Sequence, residues 1–523
     1  MNLKSVLERT ASRYGDKDAI VYGDRRVTYT SLDKESNRFA SALIKAGIVS
    51  GDRVALFLSN SPEFFIAFFG ITKIGAVPLP LDQQYKLREM KSLFGNSFPA
   101  AIVSEKTALD VLSPIISDIK SVNLVIEAGQ ERTGHFTGFG EFLDSGSDEY
   151  LNVERSPDDI AVIMYTSASS FQPKGVMLSH YSLVKEAIMS SDGYAQTDKD
   201  IMMLFALPMF HVYGLVAAAL STIHTGGTIV LVPGTGLSIK SFLSAIEREK
   251  GTMFLGVPYI FALAVDIAKN EGIQDDLSSL RLCASAGAPL STNTAREFKQ
   301  LFGLDIMDCY GLTEAVCHVT CPPIGETVKM GSIGKPLSGW NIKIVDTTGT
   351  EVSAGESGEI LVNGPIMKGF FNNPEDTEKF IKNRWLYTGD IGMKDKDGYL
   401  YITGRSKDTI IVKGQNIYPA DVESVIAEMP EVAEVAVMGI PDRMRGEIIG
   451  AVINLHENVV LTEQEIRQFC LDRIASYKIP KQIIFSESMP RNESGKIDKD
   501  IVRQQLSIPP VFPVLWTEIF GNL

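Results

Sequence analysis

Residues 156–180 have the sequence SPDDIAVIMYTSASSFQPKGVMLSH, and they organise the interpretation of the whole chain. The segment begins with an apolar run at residues 160–164, which is typical of a buried strand. A loop of small hydroxyl side chains follows, and it ends close to a single lysine, Lys174. Such a loop can bind phosphate, because hydroxyl and backbone N–H groups donate to the anionic oxygens while the lysine adds a positive charge. An ordinary Ser/Thr-rich surface loop is the alternative interpretation.

The composition is that of an acidic globular chain. It has 523 residues and a formal net charge of −14, with 45% hydrophobic and 22% charged residues. A prior of about 150 residues per domain allows three or four structural units. The acidic balance leaves no electrostatic footprint for nucleic acid, so no nucleic-acid partner is expected.

Cysteine usage and hydropathy bear on location. Five cysteines are too few for a disulfide scaffold, and residues 1–15 lack the apolar core of a secretory signal. The apolar stretches at residues 64–81 and 212–232 are interrupted by polar or glycine residues, so both are predicted to be a buried helix plus a strand. Cys317, His318 and Cys321 lie close together but are too few for a regular metal site. We therefore expect a cytoplasmic protein without a membrane span.

The alternation of elements predicts an α/β fold. A hairpin is predicted at residues 18–29, and strands then alternate with helices to about residue 330, which favours helix-covered parallel sheets. Residues 331–404 are rich in turns and short strands, and a compact α+β unit follows. We predict a large N-terminal domain, residues 1–404, of two helix-covered sheets plus this β-rich subdomain. A small mobile α+β C-terminal domain is predicted at residues 405–523.

A second motif, Tyr310-Gly311-Leu312-Thr313-Glu314, follows a predicted strand. The Glu314 carboxylate is a hard oxygen ligand that suits Mg²⁺, and the Thr313 hydroxyl can donate to a phosphate oxygen. A plain turn at the end of the strand is the alternative. Ligands bind preferentially at the carboxyl ends of strands in parallel sheets, which favours the functional interpretation.

Together these motifs resemble those of the adenylate-forming superfamily, which contains acyl-CoA synthetases, adenylation domains and luciferases. The phosphate loop of that family has the pattern YTSGTTGxPKG. The residues kept here are Tyr165, Thr166, Ser167, Pro173, Lys174 and Gly175. Ser169 and Ser170 replace threonines and keep the hydroxyl, whereas Ala168 and Phe171 replace glycines. A Cβ costs roughly 1–2 kcal/mol in a left-handed conformation, so these two positions bear on ATP use.

The resemblance assigns roles to the second motif and to the loop at residues 285–290. In the family, the tyrosine packs on adenine, the threonine contacts the α-phosphate and the glutamate holds the metal ion. The loop lines the adenine and acyl pockets. The residues concerned are Gly287, Ala288, Tyr310, Gly311, Thr313 and Glu314.

Further motifs carry the remaining roles that the resemblance implies. Asp390 and Arg405 correspond to the ribose contacts, and Lys407 to the hinge. His211 corresponds to the histidine near the carboxylate and α-phosphate, and Lys496 to the lysine of adenylation. Taken singly, each is also compatible with a structural role, such as a core histidine or a solvated lysine. Six motifs in family order over about residues 10–505 favour the resemblance.

The resemblance implies an ATP-dependent acid–thiol ligase that uses ATP, Mg²⁺ and CoA. A fatty or aryl acid attacks the α-phosphorus and expels pyrophosphate, with Lys496, His211 and Lys174 as catalytic residues. The small domain then rotates about Lys407 and presents a strand around residues 413–415, and the CoA thiol takes the acyl group and releases AMP. A carrier-protein or other acceptor is one alternative, and an ATP-impaired, non-catalytic variant is another. The protein is expected to be a monomer or homodimer. The apolar tail at residues 507–523 is expected to pack on the body, and peripheral contact with a membrane or pairing with another subunit are the alternatives.

Overall fold

The computed structural model describes residues 1–129, 133–149, 153–166, 174–232, 238–273, 275–405, 410–456, 459–490, 497, 501–503 and 506. Several sequence-based assignments lie outside these residues: Ser167, Ala168, Ser169, Ser170, Phe171, Lys407, Lys496 and the tail at 507–523.

The first sheet has seven strands and confirms the predicted alternation. In order across the sheet they are Ile306–Asp308, Leu282–Ser285, Met253–Gly256, Ile201–Leu204, Thr228–Leu231, Asp18–Tyr22 and Arg25–Thr28. Neighbours are parallel except for the last pair, the predicted hairpin, whose turn has Gly23 at φ +59°. Met202 and Met203 belong to separate hydrophobic cores, because successive side chains of a strand point to opposite faces. The sheet is therefore covered by helices on both faces.

A second, parallel sheet shares the larger of these cores. Its strands, in order, are Val77–Pro80, Arg53–Phe57, Ala101–Glu105, Leu124–Ala128 and Thr137–Gly138. Leu56 belongs to the core shared with the first sheet, whereas Phe57 packs toward the helices on the opposite side.

Helices of the large domain alternate with the strands of these two sheets. They are Leu3–Tyr14, Tyr29–Lys45, Pro62–Lys73, Leu87–Ser97, Lys106–Ile116, Phe139–Asp144, His180–Gly193, Ser221–Thr225, Ile239–Glu249, Pro258–Glu271 and Thr292–Phe302, with a wide π-helix at Tyr213–Leu220. Both apolar stretches, at residues 64–81 and 212–232, are a buried helix plus a strand, as predicted. No helix in the described part of the chain is both long and apolar enough to cross a membrane.

The smaller sheets of the large domain are mainly antiparallel. The predicted buried strand is Ile160–Thr166, which pairs with Lys174–Ser179, and Gly369–Phe370 completes that sheet. The β-rich subdomain consists of Asn341–Val345, Ser357–Asn363, Ile381–Lys382, Trp385–Lys394 and Leu400–Arg405, with a helix at Pro374–Phe380. A last sheet joins Tyr310–Gly311, His318–Cys321 and Lys335–Pro336.

The small domain has its own core and confirms the predicted α+β unit. Its sheet contains Gln415–Ile417, Ile410–Val412, Gly446–Leu455, Val432–Asp442 and Gln482–Phe485, and its helices are Pro419–Ile426 and Glu463–Leu471, with a 3₁₀ turn at Ser476–Lys478. The capping box expected from Thr462 and Glu465 is present, and each side chain bonds the backbone N–H of the other. The exact boundary at residues 404 and 405 stays a prediction.

Candidate active site

The motif at residues 310–314 forms a short strand, Tyr310–Gly311, and the start of the 3₁₀ turn Thr313–Ala315. The strand pairs with His318–Cys321, and only glycine fits at position 311, because an added Cβ would lie 1.6 Å from the Cys317 carbonyl oxygen. Val316 has φ +65°, and the Cys317 N–H donates to the Ala315 carbonyl at 2.7 Å. This is a strained three-residue γ-turn, which sets the direction of the strand that begins at His318.

The turn lines a cavity of about 200 Å³, and most of the predicted site residues within the described ranges line it too. The predicted site residues that line it are His211, Gly287, Ala288, Tyr310, Gly311, Thr313, Glu314 and Asp390. They come from four separate segments of the sequence, so their convergence is produced by the fold. The arrangement supports a single site.

Tyr310 and Asp390 are joined directly in this cavity. The Tyr310 hydroxyl donates to Asp390 Oδ2 at 2.7 Å, and both side chains are largely buried. Asp390 lies on strand Trp385–Lys394, opposite Arg405 in the register of the neighbouring strand. A ring next to a carboxylate provides a stacking surface and a hydrogen-bond acceptor, the chemistry that a nucleoside requires.

His211 is held as a neutral hydrogen-bond donor. Its Nδ1 accepts from the Tyr213 N–H at 3.3 Å, which puts the proton of the neutral ring on Nε2. Burial lowers the pKa of His211 to about 4, so the ring is neutral at pH 7. A smaller cavity is lined by His211, Thr166 and Thr313, so the start of the predicted phosphate loop adjoins the same region.

Lys174 makes a contact that the sequence did not indicate. Its Nζ lies 2.6 Å from Asp376, and the rings of Phe370 and Phe380 are 5.4 and 5.2 Å away. The hydrogen bond from Lys174 is the main reason why the pKa of Asp376 falls to about 2. Lys174 lines neither cavity, so the structure does not bring it together with the residues above. Its catalytic role stays a prediction.

The small domain supplies the facing wall through a tight hairpin. Lys413 and Gly414 join strands Ile410–Val412 and Gln415–Ile417, with φ values of +52° and +82°. Two positive values define a type I′ turn, so the strand predicted around residues 413–415 is wrong at its first two positions. Gly414 lines the cavity, and an added Cβ there would lie 2.7 Å from Val257 Cγ1. Lys413 Nζ lies 4.4 Å from the ring centroid of Tyr259.

Polar contacts hold the small domain against the large one. Lys478 Nζ lies 2.7 Å from Glu89 Oε1, and both side chains are only 2% exposed. Further pairs across this seam are Ser476 with Gln84, Arg443 with Asp266 and Glu428 with Arg88. Burial at the seam also raises the pKa of Asp82 to about 6. The orientation of the small domain therefore depends on a few polar pairs.

His318 and Cys309 line the cavity but were not predicted as site residues. The sequence placed His318 only in a possible metal cluster, and no group of three or more potential metal ligands occurs within the described ranges. It lies four residues after Glu314, outside the motif at residues 310–314, and no local pattern marks it as a cavity residue. Cys309 Sγ lies 3.2 Å from Cys321 Sγ, and burial raises the pKa of the Cys309 thiol.

Glu314 fits the predicted metal role by its position and chemistry. Its carboxylate lies next to Thr313 in the cavity wall, where phosphate oxygens are expected. Mg²⁺ in nucleotide sites commonly takes one or two carboxylates and completes its shell with phosphates and water. One glutamate at this position is compatible with such a site, and the metal role of Glu314 stays a prediction.

A large two-sheet domain closed by a small α+β domain over a nucleotide-type cavity defines the class of adenylate-forming ligases. The family model described as AMP-binding enzyme matches residues 7–371, and the model of the AMP-binding enzyme C-terminal domain matches residues 421–496. The chain therefore belongs to the AMP-binding enzyme family.

Curated relatives and solved structures resemble this chain over nearly its whole length. It is 34% identical to the putative acyl-CoA ligase YdaB of Bacillus subtilis over 93% of this chain and 96% of the relative. It is 30% identical to a long-chain-fatty-acid–CoA ligase of the same organism, over 95% of this chain and 93% of the relative.

Among solved structures, the amide bond synthetase McbA of Marinactinospora thermotolerans is similar, with a TM-score of 0.87 and 27% sequence identity. The match covers 97% of this chain and 99% of McbA. The o-succinylbenzoate CoA synthetase MenE of Bacillus subtilis, bound with its product analogue, has a TM-score of 0.83 and 29% sequence identity. The match covers 96% of this chain and 97% of MenE.

Proposed function

We propose that this protein is an AMP-forming acid–thiol ligase that activates a carboxylic acid as an acyl-adenylate and transfers the acyl group to CoA. The observation that carries the proposal is the composition of the cavity wall. Tyr310, Glu314 and Asp390 line the same cavity as Gly414 of the small domain, which faces them from the opposite wall. A nucleotide-type site is thus completed by the element that the family resemblance assigns to thioester formation.

The first step joins two anions, so positioning and charge neutralisation supply most of the catalysis. Tyr310 and Asp390 would hold the nucleoside, and His211 Nε2–H would donate to an oxygen of the carboxylate or α-phosphate. Glu314 would hold Mg²⁺, which supplies positive charge at the phosphates. Lys496 is assigned to the reacting carboxylate and α-phosphate from the resemblance.

The second step requires a path for a long thiol. A cleft of about 640 Å³ lies between the domains, lined by residues such as Pro258 and Ser291 on one side and Gly439 and Arg443 on the other. Its two-sided lining suits a ligand that enters along the seam. Similarity to MenE with its bound product analogue supports this arrangement for the transfer step.

An amine acceptor is the second candidate, because an amide bond synthetase has a TM-score of 0.87 with this chain. The two candidates share the acyl-adenylate and differ only in the acceptor. A carrier-protein thiol would be a third acceptor of the same intermediate. Supplying each acceptor separately distinguishes them.

The test is AMP release from ATP and Mg²⁺ over a panel of aliphatic and aryl acids, each with CoA, with a simple amine, or with neither. AMP that depends on an acid and on CoA is the expected result. Acid-dependent AMP release with the amine but not with CoA would show that the acceptor is an amine and not CoA. If no acid releases AMP, the A168G/F171G double variant is assayed, and AMP from it alone would identify an ATP-impaired loop.

The assignment of Lys496 has its own test. The K496A variant is expected to lose adenylation, measured as exchange of labelled pyrophosphate into ATP. It is expected to keep thioester formation from supplied acyl-AMP and CoA. Equal loss of both half-reactions would contradict the assignment.

A further inference from the structure

The backbone of Lys174 lies beside the site, but its ammonium group is held elsewhere. In its hairpin, Lys174 pairs directly with Thr166, which lines the smaller cavity together with His211. Cross-strand partners extend their side chains from the same face of the sheet, so the two side chains begin as neighbours. The Lys174 Nζ nevertheless lies 2.6 Å from Asp376 Oδ2, and the residue lines neither cavity. Because a lysine stem is flexible, the ammonium group could reach the cavity if Asp376 released it.

The Asp376 carboxylate is fixed where it meets Lys174. Its Oδ2 also accepts from Asn373 Nδ2 at 3.1 Å, and its Oδ1 lies 3.0 Å from Lys379 Nζ. Asn373 caps the helix Pro374–Phe380, and its Oδ1 accepts from the Asp376 N–H at 3.0 Å. Both carboxylate oxygens are thus held by the helix that carries them, and Asp376 binds the lysine from a preorganised position.

Two aromatic rings complete the pocket around the ammonium group. The centroids of Phe370 and Phe380 lie 5.4 and 5.2 Å from Lys174 Nζ. Phe370 belongs to the strand that pairs with the hairpin of Lys174, and Phe380 ends the helix of Asp376. The side chains of the ion pair are 26% and 19% exposed, so water screens their attraction only in part. The ammonium group therefore occupies a formed pocket of two rings and one carboxylate.

This pocket opposes the charge neutralisation that a bound polyphosphate requires. The hydrogen bond from Lys174 lowers the pKa of Asp376 to about 2, so the carboxylate is ionised at pH 7. The β- and γ-phosphates of ATP carry more negative charge than one carboxylate and can displace it from the lysine. Breaking the ion pair has a cost, which reduces the net affinity for the nucleotide. AMP has no β- or γ-phosphate and does not compete for Lys174.

We propose that Asp376 is a competing counter-ion that holds Lys174 away from the nucleotide cavity until a polyphosphate displaces it. This inference rests on the proposed function and on the phosphate role predicted for Lys174. Asp376 is then a positioning residue, which acts on phosphates only through the lysine. It weakens the binding of ATP and of pyrophosphate, and it leaves the binding of AMP unchanged. Because the ion pair forms again when pyrophosphate leaves, the contact favours release of this product.

Calorimetric titration with MgATP, magnesium pyrophosphate and AMP, each without acid or CoA, measures this competition directly. The D376N variant keeps the shape of the side chain and removes its charge. We expect its Kd for MgATP and for magnesium pyrophosphate to fall by about fivefold relative to wild type, with the Kd for AMP unchanged. A merely structural role of Asp376 would weaken the binding of all three ligands or leave all three Kd values unchanged, and either result would overturn the inference.

Two controls separate the release of Lys174 from a general change of charge. E375Q removes the same charge from the preceding residue, an exposed position of the same helix, and should leave the Kd for MgATP within about twofold of wild type. K174Q should raise the Kd for MgATP, and adding D376N to K174Q should bring no gain in affinity. A similar gain in E375Q, or in the K174Q background, would show a long-range charge effect and contradict the inference.

The titrations separate this inference from the proposed function, because they need neither an acid nor an acceptor. If no acid releases AMP but D376N gains affinity for MgATP only when Lys174 is present, the proposed function fails and the inference stands. If AMP release depends on an acid and CoA but D376N binds MgATP as wild type does, the function stands and the inference fails. If wild type binds no MgATP, D376N must make binding measurable, and no binding by either would overturn the inference.

Discussion

The wall that carries Tyr310 and Glu314 belongs to the largest core of the protein, whereas the facing wall is the two-residue tip of a hairpin. The first wall is continuous with strands and helices that share buried side chains on all sides. The second is positioned by a few polar pairs, of which Glu89 with Lys478 is the most buried. The nucleotide half of the site is therefore fixed by folding, and the acceptor half by how the small domain docks. Changes in the first wall should affect both half-reactions, and changes in the second only the transfer.

The largest effect is expected for E314Q in the fixed wall. Glu314 is the assigned protein ligand of the Mg²⁺ ion that neutralises the phosphates. Replacing its carboxylate should weaken binding of that ion, so the rate of adenylation should fall by about 10²- to 10³-fold. Pyrophosphate exchange measures adenylation, and a titration with Mg²⁺ should show a raised metal requirement. E378Q, at an exposed glutamate, is the control, and an unchanged Mg²⁺ requirement in E314Q would assign the metal elsewhere.

The G414A variant tests the movable wall. A Cβ at φ +82° is strained and would lie 2.7 Å from Val257 Cγ1, so docking of the small domain should be weakened. Thioester formation from supplied acyl-AMP should fall by about 30-fold, and pyrophosphate exchange should stay near wild type. Adding V257A removes the clash but not the strain and should restore part of the rate. Equal loss of both half-reactions would show that the tip is not specific to transfer.

A smaller effect, on stability, is expected from acidification of the fixed wall. Burial lowers the pKa of His318 to about 3, against about 6.5 in the unfolded chain. Below pH 6.5 the unfolded state takes up a proton that the folded state does not, so stability is lost as the pH falls. Between pH 6.5 and 5 this group should cost about 2 kcal/mol of unfolding free energy.

The H318F variant isolates this contribution from the other buried groups. His180 and His211, with pKa values lowered to about 4, act in the same direction. Glu186 and Asp308, with pKa values raised to about 8, act oppositely, because the folded state holds their protons more tightly. The difference between wild type and H318F in chemical denaturation at the two pH values is the measurement. Parallel pH profiles would contradict the lowered pKa.

The smallest effect is expected from the seam. In K478Q, the Glu89 carboxylate is buried without its charged partner whenever the domains dock as described, and this makes docking unfavourable. Undocking allows the carboxylate to hydrate, so the cost is limited to the docked state. Thioester formation should fall by about 10-fold with adenylation unchanged. The E89Q/K478Q double variant carries no unpaired charge and should recover most of the rate. A double variant as slow as K478Q would show that the pair does not act through charge.

Much of the fold and half of the cavity follow from local sequence patterns. The strand at Ile160–Thr166, the hairpin turn at Gly23 and the capping box at Thr462 depend on neighbours in the chain, and all are confirmed. The motif at residues 310–314 is continuous, so its convergence with Asp390 could be expected from the resemblance.

The features that were not predicted depend on contacts between distant segments. Lys174 and Asp376 are about 200 residues apart in the chain, and only the fold brings the helix at Pro374–Phe380 against the hairpin that carries Lys174. His318 has no local pattern that distinguishes a cavity ligand from a core residue. The roles of Lys407 and Lys496 stay predictions from the resemblance.

The two neighbouring thiols behind Tyr310 affect how the protein should be handled. Cys309 and Cys321 are close enough for oxidation to join their strands after a small shift, and Cys309 lines the cavity. Oxidation proceeds through a thiolate, and the raised pKa of Cys309 keeps that species scarce while the wall is packed. Purified samples should therefore tolerate air for as long as they stay folded, and intact mass should show the loss of two hydrogens only after partial unfolding. Loss of activity on storage would then report loosening of this wall before aggregation is visible.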